Sequence, residues 1–272
     1  MRAVASRNRT PSSMPPVRAV DRALRILSCL GEGDLRLGDL AAKVKLHKAT
    51  VTRLLASLAR ADMVTRDERG YYSLGSGIAV LSTRLLGRYR ALVDSLRIPL
   101  MEVWQATRET VSVHVRVGFE RVCVEELESS HMIAYRTGIG SRVPLHVGSG
   151  GKVLLAFLPA DERKQLLRDL RLTALTDRTV TSRARLAAEL ATTRRLGYAV
   201  SVGERTLGSA AVSVPVFDSS QRVVAVVSVL GPDSRLSQAE LRRCAEILRH
   251  KIRPLPTVIP LPVAMPSSKP LT

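Results

Sequence analysis

Lys48, Ala49, Thr50, Thr52 and Arg53 lie in a segment whose apolar residues, Val51, Leu54, Leu55 and Leu58, recur at helical spacing. A helix with that stripe presents small and basic side chains on its other side, which suits a DNA major groove. A helical hairpin with a merely solvated basic face would look the same, so the surroundings must decide. Arg66, Arg69 and Tyr71 follow closely, placed to meet the phosphate backbone or minor groove. A third candidate is Val147-Gly148-Ser149-Gly150-Gly151-Lys152. It is not a P-loop, because His146 and Val153 stand where Gly and Ser or Thr are required. As a loop running into a helix expected over 152–157, its backbone N–H groups suit a carboxylate. A plain glycine turn is the simpler alternative.

Other reactive side chains assemble nothing. His114, His131, His146 and His250 pair with no acids at metal-binding spacing, so His114 and His146 read as sheet or loop residues and no metal is expected. Cys29, Cys123 and Cys244 are odd in number and far apart, which fits free thiols in a reducing cytosol. Cys123 reads as core packing. No set of nucleophile, base and oxyanion donors is visible, so neither an enzyme nor a cofactor is expected.

The basic segment sits within Leu35 to Leu58, which reads as two short helices joined by a turn at Val44-Lys45-Leu46. Before it, Val17 to Leu30 reads as a helix with Val20, Ala23, Leu24, Leu27 and Leu30 on one face and Gly31 as its stop. After it, Val64 to Arg66 and Tyr71 to Leu74 read as strands around Asp67-Glu68-Arg69-Gly70. Helix, helix-turn-helix and hairpin over 17–75 make a winged helix-turn-helix. Ile78, Leu81, Leu85 and Tyr89 suggest a linker helix over 76–90. Leu92, Leu96, Leu100, Val103 and Trp104 suggest another, kinked at Pro99.

From Thr110 the period becomes two, and TVSVHVRV reads as a half-buried strand. Further strands are expected at 121–127, 133–136, 198–202, 211–216 and 223–230. Helices are expected after Pro159, over 182–196 and from the capping box Ser237-Gln238-Ala239-Glu240. Residues 91–253 therefore form an α+β sheet domain. Met1 to Pro16 reads as a disordered basic arm, and Pro254 to Thr272, with six prolines, as a disordered tail.

Composition supports two folded domains and a polyanionic partner. The chain has 272 residues, 45% hydrophobic, and a formal charge of +18. Residues 1–90 carry +10 of that and the remaining two thirds only +8. Aromatics at 3% argue against stacking platforms for single strands. No apolar run reaches transmembrane length, and the first sixteen residues lack the apolar core of a secretory signal.

Taken together, residues 17–253 resemble the IclR family of bacterial transcriptional regulators. The resemblance rests on VRAVDRALRIL at 17–27, TVTRLLASL at 50–58, YYSLG at 71–75, RETVSVHV at 108–115 and GSRVPLHVGSGGKVLLAFLP at 140–159. LTALTDRTVTS at 172–182, RRLGYAVS at 194–201 and SVLGPDSRL at 228–236 continue it. It implies a winged helix-turn-helix, a linker helix and a GAF-like mixed-sheet effector-binding domain. It also implies dimers, or dimers of dimers, on palindromic double-stranded operators. A cytoplasmic place is expected from the free thiols, and no membrane partner from the lack of a long apolar run. The loop with Ser149, Gly150 and Gly151 would form one wall of the effector pocket, with Ser201, Ala211, Ser228 and Leu230 on the last strands. Three of those four are less polar than in relatives that bind small acids, so an effector with an apolar or aromatic body and one acidic end is expected.

Two positions depart from the family pattern. Lys45 replaces the usual turn glycine, and a left-handed conformation there costs about 1 kcal/mol. His47 replaces a common proline at the start of the recognition helix, and the wing loop looks a residue short. Two rival functions remain: a small-molecule enzyme or sensor with an appended basic domain, and an architectural DNA binder indifferent to sequence.

Overall fold

The computed structural model describes residues 17–258, so the N-terminal arm and most of the proline-rich tail lie outside the described residues. The chain divides into two compact units between Gly87 and Arg88.

The first unit contains α1 (Arg18–Leu30), β1 (Leu35–Arg36), α2 (Leu37–Val44), α3 (Lys48–Arg60), β2 (Val64–Arg66) and β3 (Tyr71–Leu74). Ile26 and Leu30 of α1 meet Leu40, Ala41 and Val44 of α2 and Val51 and Leu55 of α3 in one core, closed below by Val64. Val20 and Leu24, expected inside, are 54% and 43% exposed, because the buried face of α1 is centred on Ile26 instead. Between α2 and α3, Lys45 takes φ 53° and ψ 47°, the left-handed turn expected of it. Leu35 and Arg36 are not helical. They pair antiparallel with Tyr72 and Tyr71 and give the wing a third strand, in the order β1-β3-β2.

α4 (Ser76–Thr107) is one unbroken helix where two were expected. Pro99 lies inside the helix and has no N–H to donate to Ser95, an exposed residue. Leu92, Leu96, Leu100 and Val103 on either side are anchored in the core, so the helix continues through the proline.

The second unit is a six-stranded sheet, ordered β6-β5-β4-β9-β8-β7. Its strands are β4 (Thr110–Val117), β5 (Glu120–Leu127), β6 (Arg142–Pro144), β7 (Ala199–Val202), β8 (Ser209–Phe217) and β9 (Val223–Pro232). Its helices are α5 (Gly148–Ala156), α6 (Ala160–Asp169), α7 (Arg183–Leu196) and α8 (Gln238–Lys251). Every pairing among the described strands is antiparallel, whereas the resemblance implied a mixed sheet. Alternation assigns the two faces. Val111, Val113, Val212, Val214, Val227 and Val229 join α4 and α8 in one core, while α5 lies against the opposite side of β7, β8 and β9.

Three expectations are corrected here. β4 is buried on both faces from Thr110 to Val115 rather than half-buried, since each face has a cover. Residues 133–136 form no strand. Their neighbours Thr137 and Gly138 donate backbone N–H groups to the Glu126 carboxylate instead of to a ladder. β6 supplies the edge strand in their place. The glycine segment is not a loop before a helix: α5 begins at Gly148, whose φ of +77° suits a residue without a Cβ. No described helix is long and apolar enough to cross a membrane.

Candidate functional site

On the first unit, α3 turns its apolar residues inward and leaves Lys48, Ala49, Thr52 and Arg53 exposed, with Thr50 half-buried. The Thr52 hydroxyl donates to the Lys48 carbonyl at 3.0 Å, so its methyl is the group free to face outward. His47 caps the helix with extended backbone and no side-chain hydrogen bond. Arg66 and Arg69 are exposed in the wing. The Arg66 guanidinium lies 5.4 Å above the Tyr72 ring, and Arg36 lies 4.8 Å above Tyr71. Tyr71 is thus half-covered by a cation, and its backbone N–H donates to Asp67 Oδ1 at 2.7 Å, which fixes the wing turn.

On the second unit, a cavity of about 80 Å³ lies between the sheet and the first turn of α5. Register builds its floor. Ser112, Ser228 and Ser213 are neighbours across β4, β9 and β8, and Leu230, Ala211 and Ser201 form the next row. Ser213 shares hydrogen bonds of 2.7 Å with both Ser149 and Ser228, so a chain of hydroxyls ties α5 to the floor. Of the residues expected from sequence, Ser149, Gly150, Ser201, Ala211, Ser228 and Leu230 line this cavity. Gly151 does not. A Cβ there would sit 2.2 Å from the Leu145 carbonyl oxygen, so this glycine permits close backbone contact.

The lining is more strongly charged than the sequence implied. Arg121, Arg136, Arg205 and His114 belong to it, and no Asp or Glu does. The expectation of a less polar pocket compared four positions and passed over the cations supplied by β5, the 128–141 segment and the 203–208 loop. Arg121 is only 6% exposed and His114 1%. Among the described residues, Ser112 Oγ, both ring nitrogens of His114 and Arg121 Nε are buried without a hydrogen-bond partner. Orphaned polar groups of this kind are uncommon in native proteins. Burial, with the nearby Arg205 charge, lowers the Arg121 guanidinium to about 10, so it stays cationic at neutral pH. Burial, then Arg121 and Arg205, holds His114 well below the usual imidazole range and therefore neutral.

The carboxylate role expected of the glycine segment is taken up in part by the protein itself. Gly148 N–H donates to Glu204 Oε2 at 3.1 Å, and the same carboxylate meets the Lys152 ammonium. Glu189 completes the arrangement at 2.5 Å from Lys152. These paired charges border a second, wider groove of about 790 Å³ along β7. That groove is larger, but its buried charges satisfy one another, so the smaller cavity is the better candidate. His146 and Cys123 play structural parts. The His146 ring meets the Thr173 carbonyl at 2.9 Å, and burial raises the Cys123 thiol to about 12. Among the described residues, no group of three His, Cys, Asp or Glu side chains could hold a metal.

Comparison with known proteins agrees with this division. The family description "Bacterial transcriptional regulator IclR C-terminal" matches residues 88–255, and "IclR helix-turn-helix domain" matches 19–68. The HTH-type transcriptional regulator XynR of Escherichia coli K12 is 33% identical over 245 residues, 87% of this chain and 94% of its own. The Thermotoga maritima IclR crystal structure superimposes with a TM-score of 0.69 at 27% identity, covering 86% of this chain and 95% of that one. An IclR homologue from Microbacterium hydrocarbonoxydans complexed with 4-hydroxybenzoate shares the fold at 22% identity, with a TM-score of 0.68 and coverage of 86% and 98%.

Proposed function

The chain belongs to the IclR family of bacterial transcriptional regulators, and we propose that α3 enters the major groove of its operator while the cavity beside α5 takes the effector. It is a DNA-binding, ligand-responsive regulator rather than an enzyme. The observation that carries the DNA reading is the exposed set Lys48, Ala49, Thr52 and Arg53 on a helix whose other face is core. Arg53 and Lys48 reach bases or phosphates, Ala49 and the Thr52 methyl suit a thymine methyl, and Thr50 seats the helix. Arg66, Arg69 and Tyr71 hold the backbone.

Val17 just before α1, Val20 and Leu24 on α1, and Val80 and Leu81 on α4 are exposed apolar residues of the first unit. A second copy covering them gives a homodimer, and two such dimers a tetramer, either of which suits a palindromic operator. We place the protein in the cytoplasm with the DNA it reads, where Cys29, Cys123 and Cys244 stay free. The effector is a small carboxylate, bound by Ser149, Gly150, Ser201, Ala211, Ser228 and Leu230 with the cationic groups around them. Control follows from population shift: the effector must prefer one arrangement of the dimer over another. α4 transmits it, because its Tyr89–Val103 stretch is rooted in the sheet core and the same helix begins at Ser76 beside the wing.

Selection of duplexes from a random pool tests the reading. An inverted repeat should emerge, with half-sites about one helical turn apart. Equal recovery of all sequences would reduce the protein to an unspecific DNA binder.

A further inference from the structure

Charge and size narrow the effector further. Three arginines line the cavity and no carboxylate does. Arg136 is already paired, 2.9 Å from Glu128. Arg121 and Arg205 form no salt bridge with any described residue, and they come from different walls: Arg121 from β5, Arg205 from the loop after β7. Burying an unpaired guanidinium is costly, and a second cation nearby raises that cost. A ligand carrying one negative charge offsets only half of it. Volume limits the answer from the other side. A cavity of about 80 Å³ favours a short ligand over a long one. In the same cavity, Ala211 and Leu230 are paired neighbours on the floor and offer a small apolar bed. Ser112 Oγ and the His114 nitrogens add unused polar groups on the β4 side.

We propose that the effector is a short-chain dicarboxylate of two to four carbons, with one carboxylate on Arg121 at the first turn of α5 and the other on Arg205. The carbon chain crosses Ala211 and Leu230. Ser112 and Ser228 serve the carboxylate oxygens as donors, and His114 donates one ring N–H. This rests on the reading of the cavity as the effector site. An aromatic monoacid lacks the second anionic end.

The test uses the full chain and a panel at constant ionic strength: oxalate, malonate, succinate, acetate, pyruvate, benzoate and inorganic phosphate. Melting temperature is read first, then affinity by calorimetry, since a ligand of the native state raises the melting point. A diacid should bind about tenfold or more tighter than any monocarboxylate, the effect of one added charge-assisted contact. Arg205→Gln, at a half-buried position, should bring diacid and monoacid within about threefold of each other while monoacid binding persists. Arg205→Lys should keep much of the preference, because the charge stays. Benzoate or pyruvate matching the best diacid would overturn the proposal and leave the carboxylate reading intact. So would an undiminished diacid preference in Arg205→Gln. Phosphate binding above every diacid would also overturn it, replacing two carboxylates by one compact dianion. If no acid or phosphate shifts the melting point, the effector reading itself falls with the proposal.

Discussion

Glu204 accepts the Gly148 N–H at 3.1 Å, so the first amide of α5 is bonded to the protein's own carboxylate. The other oxygen of Glu204 holds Lys152, which is 2% exposed. One carboxylate thus fixes the position of α5 over the cavity and neutralises a buried ammonium. Glu204→Ala should cost about 3–5 kcal/mol in urea unfolding, because it leaves a buried charge short of a partner. Lys152→Met combined with Glu204→Gln should recover part of that loss, which a double-mutant cycle would report. A single-variant cost below about 1 kcal/mol would mean that Glu189 alone satisfies Lys152.

Gly150 and Gly151 are adjacent, yet their replacement by alanine should have opposite consequences. A Cβ at Gly150 meets Ser228 Oγ at 3.4 Å and Arg121 at 3.5 Å, which is ordinary contact. In a helix, alanine there should leave stability unchanged or raise it by up to about 1 kcal/mol. The methyl would occupy the cavity, so effector binding should weaken at least about tenfold. A Cβ at Gly151 would strike backbone at Leu145, 2.2 Å away. Gly151→Ala should cost about 1–3 kcal/mol and lower the melting temperature before any ligand is added. Equal stability of the two variants would remove the distinction.

The first unit was legible in the sequence because periodicity and punctuation agree there: Val51, Leu54 and Leu55 set the helix face, and Asp67 to Gly70 mark the wing turn. Leu35 and Arg36 escaped because two residues carry no pattern, and only pairing with Tyr71 and Tyr72 makes them a strand. The cavity was half legible. Alternation in TVSVHVRV reveals a strand and puts Ser112 and His114 opposite the valines. It does not tell whether the polar side meets water or a covered space, and α5 with its flanking loops makes that choice. Arg121 belongs to the same missed class. Its place beside Val122 in a strand flanked by Glu120 looks like a surface cation until α5 is laid over it.

Acid should destabilise the folded second unit through its histidines. Burial, with Arg121 and Arg205 adding to it, depresses His114, and burial also depresses His146 despite its bond to Thr173. Above pH about 6.5 both are neutral in folded and unfolded chains, so neither affects stability. Below it the unfolded chain takes up protons that the folded chain refuses, and stability falls as pH drops toward the folded values. The slope is about 1.4 kcal/mol per pH unit for each histidine that remains neutral. Urea unfolding at pH 7.5 and 5.5 should reveal the fall, and His114→Gln should flatten it. A stability equal at both pH values would show that water reaches these rings and lets them protonate.

Arg53 and Arg69 are both exposed cations of the first unit, but helix and wing should use them differently. Arg53 lies on the outward face of α3, and no described acid pairs with it. If it forks onto a guanine edge, Arg53→Ala should cost about 1–3 kcal/mol on the operator and relax preference at one base pair per half-site. Its effect on random duplex should be smaller. Arg69 sits at the tip of the wing turn between Asp67 and Gly70, and in the proposed docking it meets phosphates rather than base edges. Arg69→Ala should therefore weaken operator and random duplex alike. It should also reduce the slope of log affinity against log salt by about one for each phosphate left unneutralised. Fluorescence anisotropy on both duplexes across a salt series separates the two patterns. If Arg53→Ala lowered the salt slope without touching sequence preference, α3 would be resting on the backbone and some other element would be reading the operator.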